Sequence, residues 1–193
     1  MKKTGTILNE HIERRKAKTR PPYIMVLSTV LIAIIAMFLP YMTATGDLAE
    51  YIERHPDRVE IESLELTASD LANVPIISVS SLITGVYSED DGMIANVIVW
   101  ILGGFLALTT LFAILKKPTA IMIFDLLTLG VFFFLSFLMT EDFISADRYA
   151  WSFGYYILPI ASIVTFFGAV WLLATKIVIK RQAKKMMTAN LID

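Results

Sequence analysis

The run MIANVIVWILGGFLALTTLFAIL, residues 93–115, meets Lys116-Lys117-Pro118 and continues as TAIMIFDLLTLGVFFFLSFLM, residues 119–139. Each half is about as long as the ~20 residues a helix needs to cross hydrocarbon. Lipid offers no partner to a backbone N–H or C=O, so a spanning segment must be a helix or a strand of a closed barrel. Neither half alternates polar and apolar residues at period two, as a barrel strand would. The pair reads as a helical hairpin in a membrane, turned back by two lysines and a proline.

Outward from that hairpin, Tyr23–Tyr41 and Phe153–Ile179 are apolar runs of similar length. The chain is expected to be an all-α membrane protein: a four-transmembrane-helix bundle with a small α+β extracytoplasmic loop region between helices 1 and 2. The boundaries are a basic N-terminal segment 1–22, spans at 23–41, 93–115, 119–139 and 153–179, loops at 42–92, 116–118 and 140–152, and a basic tail 180–193. Composition agrees, with 56% of the 193 residues hydrophobic and 18% charged, and a mean hydropathy of +0.65. There is no cysteine, so disulfides and thiolate metal sites are excluded.

Lys and Arg set the orientation, because cytoplasmic loops are enriched in them. The N-terminal segment, the 116–118 turn and the C-terminal end hold fourteen, from Lys2 to Arg20, Lys116 and Lys117, and Lys176 to Lys185; the other two loops hold Arg54, Arg58 and Arg148. Both termini are expected in the cytoplasm of a cell (plasma) membrane protein. Tyr23 and Trp171 fall near the inner interface, and Tyr41, Tyr149, Trp151, Tyr155 and Tyr156 near the outer one. A cleaved signal peptide ending near Thr43-Ala44-Thr45 is the competing reading. It fits less well, since a signal peptide's apolar region is typically ~7–15 residues. Ile7, Leu8, His11 and Ile12 share a face if the leader is helical, which suits a segment lying on the anionic inner leaflet; a disordered basic tail is the plainer alternative.

The loop from Thr43 to Gly92 carries eleven acidic residues and two basic ones, a local charge near −9. Asp47–Arg58 reads as a short helix with Leu48, Tyr51 and Ile52 on one side, and Val59–Glu62 alternates like a strand. Leu66–Asn73 is echoed eleven residues later by Ile77–Thr84; each copy reads as an extended piece, a Ser or Thr cap and a turn of helix. The apolar content of Val74–Val86 needs cover. Val74, Ile76, Ile77, Val79, Leu82, Ile83 and Val86 are the candidate partner surface; packing on the helix ends or lying in the interface are the alternatives. Glu89-Asp90-Asp91 suits a helix N-terminus, and the run lacks the ligand spacing of a calcium loop.

Asp125 is the acidic residue inside a predicted span, and such a group is a functional candidate by default. Counted from Thr119 it lies in the inner half of its span, at a depth similar to Lys176, so an Asp125–Lys176 ion pair between helices 3 and 4 is expected. Snorkelling of both side chains and a proton or cation relay are the alternatives. Gly103, Gly104 and Ala107 give helix 2 a small-residue packing face, as Gly168 and Ala169 do for helix 4. Pro159 should bend helix 4, with Ser162 placed to help satisfy the freed carbonyl. Asn96 and Trp100 sit near the outer mouth, where an interhelical hydrogen bond is expected. His11 and His55 are on opposite sides of the membrane, and no glycine loop, HExxH pair or GxSxG elbow occurs. An enzyme, a metal, a cofactor or a nucleic-acid partner is not expected.

An inside N-terminus, a long first outer loop and a short second one resemble the plan of claudin-like tetraspans, without the claudin loop cysteines and Trp-rich motif; pore or junction roles are therefore not implied. Phe38-Leu39-Pro40 closing the first span and Gly154-Tyr155-Tyr156 opening the last are similar to uncharacterised small four-span membrane proteins of bacteria, a group that implies no activity. Three functions remain in view. They are an accessory or scaffold subunit contacting a protein partner or a second copy of itself, a transporter or channel component with Asp125 in a polar path, and an immunity protein against a membrane-active peptide.

Overall fold

The computed structural model describes the backbone of residues 2–54, 68–86, 89–144 and 147–189, and side chains over 18–54, 68, 71–85, 89–141, 143–144 and 147–184. Within these, four helices are long and apolar enough to cross a membrane. They are α1 (Lys2–Ala36), α5 (Glu89–Ile114), α6 (Pro118–Met139) and α7 (Phe153–Ala189). Between the first two lie strand β1 (Pro40–Ala44), helices α2 (Gly46–Arg54) and α3 (Ala68–Ala72), strand β2 (Asn73–Pro75), a 3-10 turn at Ile76–Ser78, and α4 (Val79–Val86). A π-helical turn at Thr140–Ile144 and strand β3 (Tyr149–Trp151) join α6 to α7.

The helices form a ring, α1 against α7, α7 against α6, α6 against α5, and α5 back onto α1. On α1 the inward stripe is Val26, Val30, Ala33 and Ala36, the i, i+4, i+7 spacing of one helical face. The outward positions are also apolar: Leu31, Ile35, Ile101, Phe133, Phe137, Ile160 and Phe167 are all exposed. Helices that are apolar on the outside have no stable surface in water, so these faces contact a lipid bilayer.

Three boundaries differ from the sequence reading. The first span ends at Ala36 rather than Tyr41, because the N–H groups of Met37, Phe38 and Leu39 fall back to i−3 carbonyls at 3.2, 3.0 and 3.3 Å and Pro40 has no N–H to extend the helix. α1 also runs unbroken through Pro21 and Pro22 from Lys2, so the basic N-terminal segment is helical and continuous with the first span. At the other end α7 continues to Ala189, past the expected 179.

β1 is the middle strand of an antiparallel sheet in the order β2-β1-β3. Met42 faces Val74 on one side and Trp151 on the other. The sheet therefore draws one strand from ahead of α7, and is not confined to the segment between helices 1 and 2. Between Pro40 and Met42 the register with β2 slips, and consecutive residues Tyr41 and Met42 are both buried, as a β-bulge that re-aims one side chain allows. Tyr41 is thus not an interfacial aromatic at a helix end. It is fully enclosed, donates to Ser136 Oγ at 2.8 Å, and meets the rings of Phe132, Trp151 and Tyr155 at 5.9, 5.2 and 5.9 Å. Tyr149, also buried, donates to the Leu71 carbonyl at 3.1 Å, and burial pushes its phenol up to about 12.

The rest of the cap follows the expected helices in part. α2 carries Ile52 inward and Leu48 half-buried while Tyr51 is exposed, and Arg54 pairs with Glu50 one turn back. Residues 55–58 of that expected helix and the expected strand Val59–Glu62 lie outside the described residues. The two copies of the eleven-residue echo contribute α3 and α4, and their equivalent leucines, Leu71 and Leu82, are both buried. The second copy opens on the 3-10 turn instead of an extended piece, and Leu66 and Thr67 of the first lie outside the described residues. Glu89, Asp90 and Asp91 form the first turn of α5, where their charge suits the helix dipole.

At the opposite end, α5 and α6 are joined by a tight turn. Lys116 has φ +55°, Lys117 N–H reaches the Phe112 carbonyl at 3.0 Å and Lys116 N–H the Ala113 carbonyl at 3.0 Å. That is a Schellman closure with lysine where glycine is usual, followed by Pro118 as the first residue of α6. The Lys116 ammonium stands 4.4 Å from the centre of the Tyr23 ring.

Candidate functional site

A band of hydroxyl-bearing residues and one carboxylic acid crosses the bundle interior. Thr109, Asp125, Thr128, Ser162 and Thr165 are all buried. The threonines return their hydroxyls to their own helices, Thr109 to Phe105 O at 2.9 Å, Thr128 to Phe124 O at 2.8 Å and Thr165 to Ala161 O at 2.9 Å, which satisfies them without a partner helix. Thr165 additionally shares a 2.7 Å contact with Thr29 of α1. This interhelical bond has no precursor in the periodicity of either helix.

Asp125 differs from the threonines. It is 1% exposed; among the described residues its Oδ2 has no hydrogen-bond partner, and neither does the Oγ of Ser162, the polar side chain that stands beside it on α7. Ser162 therefore does not serve the carbonyl freed by Pro159; it is turned to the acid. A carboxyl group placed among apolar helices without full hydrogen bonding is costly, and such groups concentrate at functional positions.

The expected Asp125–Lys176 pair is not formed. The rings of Phe132 and Tyr155 meet at 5.6 Å, which sets the antiparallel register of α6 and α7. Seven residues back on α6 is Asp125, and seven forward on α7 is Ser162. Lys176 lies fourteen residues beyond Ser162, or ~21 Å along the axis at 1.5 Å per residue. It donates instead to the backbone carbonyl of Lys116, capping the α5–α6 turn. Counting depth from the ends of the apolar runs placed the two side by side because it took no account of how far α7 overshoots its neighbours.

The candidate partner surface is largely consumed inside the molecule. Val74, Ile76, Val79, Leu82 and Ile83 are buried, and Ile77, 42% exposed, faces out; the Val86 side chain lies outside the described residues. α4 lies along the start of α5, so close that a Cβ on Gly92 would stand 1.7 Å from Thr84 Oγ1. The apolar stretch of the loop is thus the cover for the helix ends rather than a free patch.

The small residues divide into two groups. A Cβ on Gly168 would meet Val26 Cγ2 at 2.9 Å, and one on Gly103 would meet Met37 Cε at 3.8 Å, so these two face neighbours within the bundle, and Ala169 is buried. Among the described residues a Cβ on Gly104 meets nothing within 4 Å. Gly104 and Ala107 are exposed, on the same face of α5 as Trp100, itself 74% exposed. Asn96, exposed one turn before Trp100, lines a cleft of about 380 Å³ between α4 and α5 with Ser80, Ser81 and Thr84.

No protein-family model, curated protein or solved structure matches the chain. The fold defines its class without them: a multi-pass membrane protein, four helices closed at one end by a three-stranded sheet. The likenesses noted from the sequence reach no further than that four-span plan.

Proposed function

We propose that this chain is a non-enzymatic accessory or scaffold subunit of the cell membrane that seats another transmembrane helix on α5. The observation that carries the reading is the outward Gly104 and Ala107 beside Trp100. Glycine facing lipid contributes neither packing nor helix propensity, whereas against a second helix it permits close backbone approach. The proposed orientation has both termini in the cytoplasm and the sheet outside, supported by fourteen basic residues on the tail side against three on the sheet side.

Because the chain has no cysteine, single thiols report contacts cleanly. In native membranes Gly104→Cys should cross-link to a neighbouring chain with a short bifunctional thiol or thiol–amine reagent, and Phe137→Cys, exposed on α6, should not. Gly104→Phe, whose ring enters open space in the isolated bundle, should lower recovery of the complex about tenfold while leaving the monomer folded. Equal cross-linking from both faces, or a complex indifferent to Gly104→Phe, sinks the reading.

A second reading has its own support in the Oδ2 of Asp125, which has no hydrogen-bond partner among the described residues and lies beside Ser162: a transport component using that acid for a proton or cation. In reconstituted vesicles Asp125→Asn should then abolish flux while the unfolding temperature stays within a few degrees of the native protein. Flux unchanged by the substitution ends this second reading.

A further inference from the structure

At the sheet end a cavity of about 410 Å³ lies between α4, α5 and α6. Ile83, Ala95, Ile98, Leu135 and Met139 line its interior, and the Asp91 carboxylate lines it at the solvent edge. Asp91 and Ile98 are seven residues apart on α5, so the cavity extends ~10 Å along that helix at 1.5 Å per residue. Ile94, 59% exposed on the bundle surface, also lines it, which makes the space continuous with the lipid side of the helices. Among the described residues its lining includes no basic side chain. Glu89 and Asp90 are exposed beside Asp91, at the edge of a segment whose charge is near −9.

The volume is in the lower part of the ~300–1,000 Å³ range of small-molecule sites, too small for two acyl chains with their glycerol and suited to one. An apolar slot ~10 Å deep, reached from the lipid side and edged by acid, is complementary to one amphipathic shape. We propose that this cavity takes the hydrocarbon tail of a single-chain cationic amphiphile, with its ammonium group against Asp91. The apolar walls bind the tail by removing it from water, and the carboxylates select the sign of the head and repel anionic lipids. This site is on the inner side of α5 and does not depend on the helix-seating role of Gly104.

The test uses the full chain in a neutral maltoside detergent with an alkyl-trimethylammonium probe of twelve carbons carrying a photoreactive group at the tail. Labelling should saturate, map to the peptides containing Ala95–Ile98 and Leu135–Met139, and be displaced by unlabelled dodecyltrimethylammonium but not by dodecyl sulfate. Asp91→Asn, at an exposed position, should weaken probe binding about tenfold. Ala95→Phe, filling the slot, should abolish it, with Ile98→Phe as the variant to use if Ala95→Phe does not fold. Labelling that fails to saturate, spreads over lipid-facing residues such as Phe133 and Phe137, is displaced equally by dodecyl sulfate, or persists in Asp91→Asn at full affinity overturns the proposal.

Discussion

Gly154→Ala is expected to destabilise the sheet end of the bundle by about 3 kcal/mol, at the upper end of what one inserted methyl typically costs a packed interior. Gly154 is buried in the first turn of α7, against the place where α1 ends. A Cβ there would stand 2.8 Å from the Leu39 carbonyl oxygen, 2.9 Å from that of Pro40 and 3.2 Å from that of Ala36. These atoms are backbone and cannot rotate away. Ala36 ends α1 and its carbonyl accepts from the Leu39 N–H at 3.3 Å, and the amino-terminal turn of α7 presents its positive dipole end to all three oxygens. The methyl would push the two helix ends apart and weaken both terms. The Ser152 N–H bond to the Tyr41 carbonyl, 3.0 Å, closes the same junction and should lengthen with it. Thermal unfolding in detergent, followed by tryptophan fluorescence, measures the cost; a midpoint within a degree of the native protein would show that the junction is looser than its contacts imply. Gly130→Ala is the control, since a Cβ there meets nothing within 4 Å among the described residues.

Tyr41→Ala should cost more, about 3–5 kcal/mol, the range for truncating a buried aromatic. The ring occupies the position the bulge gives it, touching helix α6 through Phe132, strand β3 through Trp151 and helix α7 through Tyr155. Its removal opens a cavity shared with three elements that all lie far beyond it in the chain. Tyr41→Phe separates the packing from the polar part, since it keeps the ring and loses the 2.8 Å bond to Ser136 Oγ. It should cost ~1 kcal/mol. Ser136 keeps its own bond to the Phe132 carbonyl at 2.8 Å, so its hydroxyl is not stranded. Denaturant titrations of both variants decide the matter. A Phe variant as unstable as the Ala variant would put the energy in the hydrogen bond, against this account.

The α5–α6 hairpin was legible from residues alone because length, apolarity and a basic proline-bearing turn are all local properties. The end of α1 was not. Phe38-Leu39-Pro40-Tyr41-Met42 is as apolar as the helix before it, and hydropathy cannot tell a last turn of helix from a strand; the usable signal was Pro40, which bars the helical hydrogen bond and biases Leu39 to extended backbone. The need to cover Val74–Val86 was visible in composition, but what covers it depends on α4 lying on α5 at Gly92, a contact no periodicity encodes. The candidate site was half legible. Asp125 stood out as an acid in an apolar run. Its neighbour did not, because the register between α6 and α7 is set by Phe132 and Tyr155, and the count from the apolar edges selected Lys176 instead of Ser162.

The pairing of α1 with α7 governs when the molecule can finish folding. These two helices make the most extensive contact in the bundle, and β1 pairs with β3 just ahead of α7, so the first and last spans are each other's main neighbours across more than a hundred intervening residues. Contacts of such long sequence separation form late and slowly. During synthesis the inward stripe of α1, with Val26, Val30 and Ala33, must wait in lipid until α7 has been inserted, while α5 and α6 can close as a local hairpin. A nascent chain stalled before residue 153 should therefore expose Thr29 and this stripe to any membrane chaperone, and releasing the stalled chain to complete α7 should end that exposure.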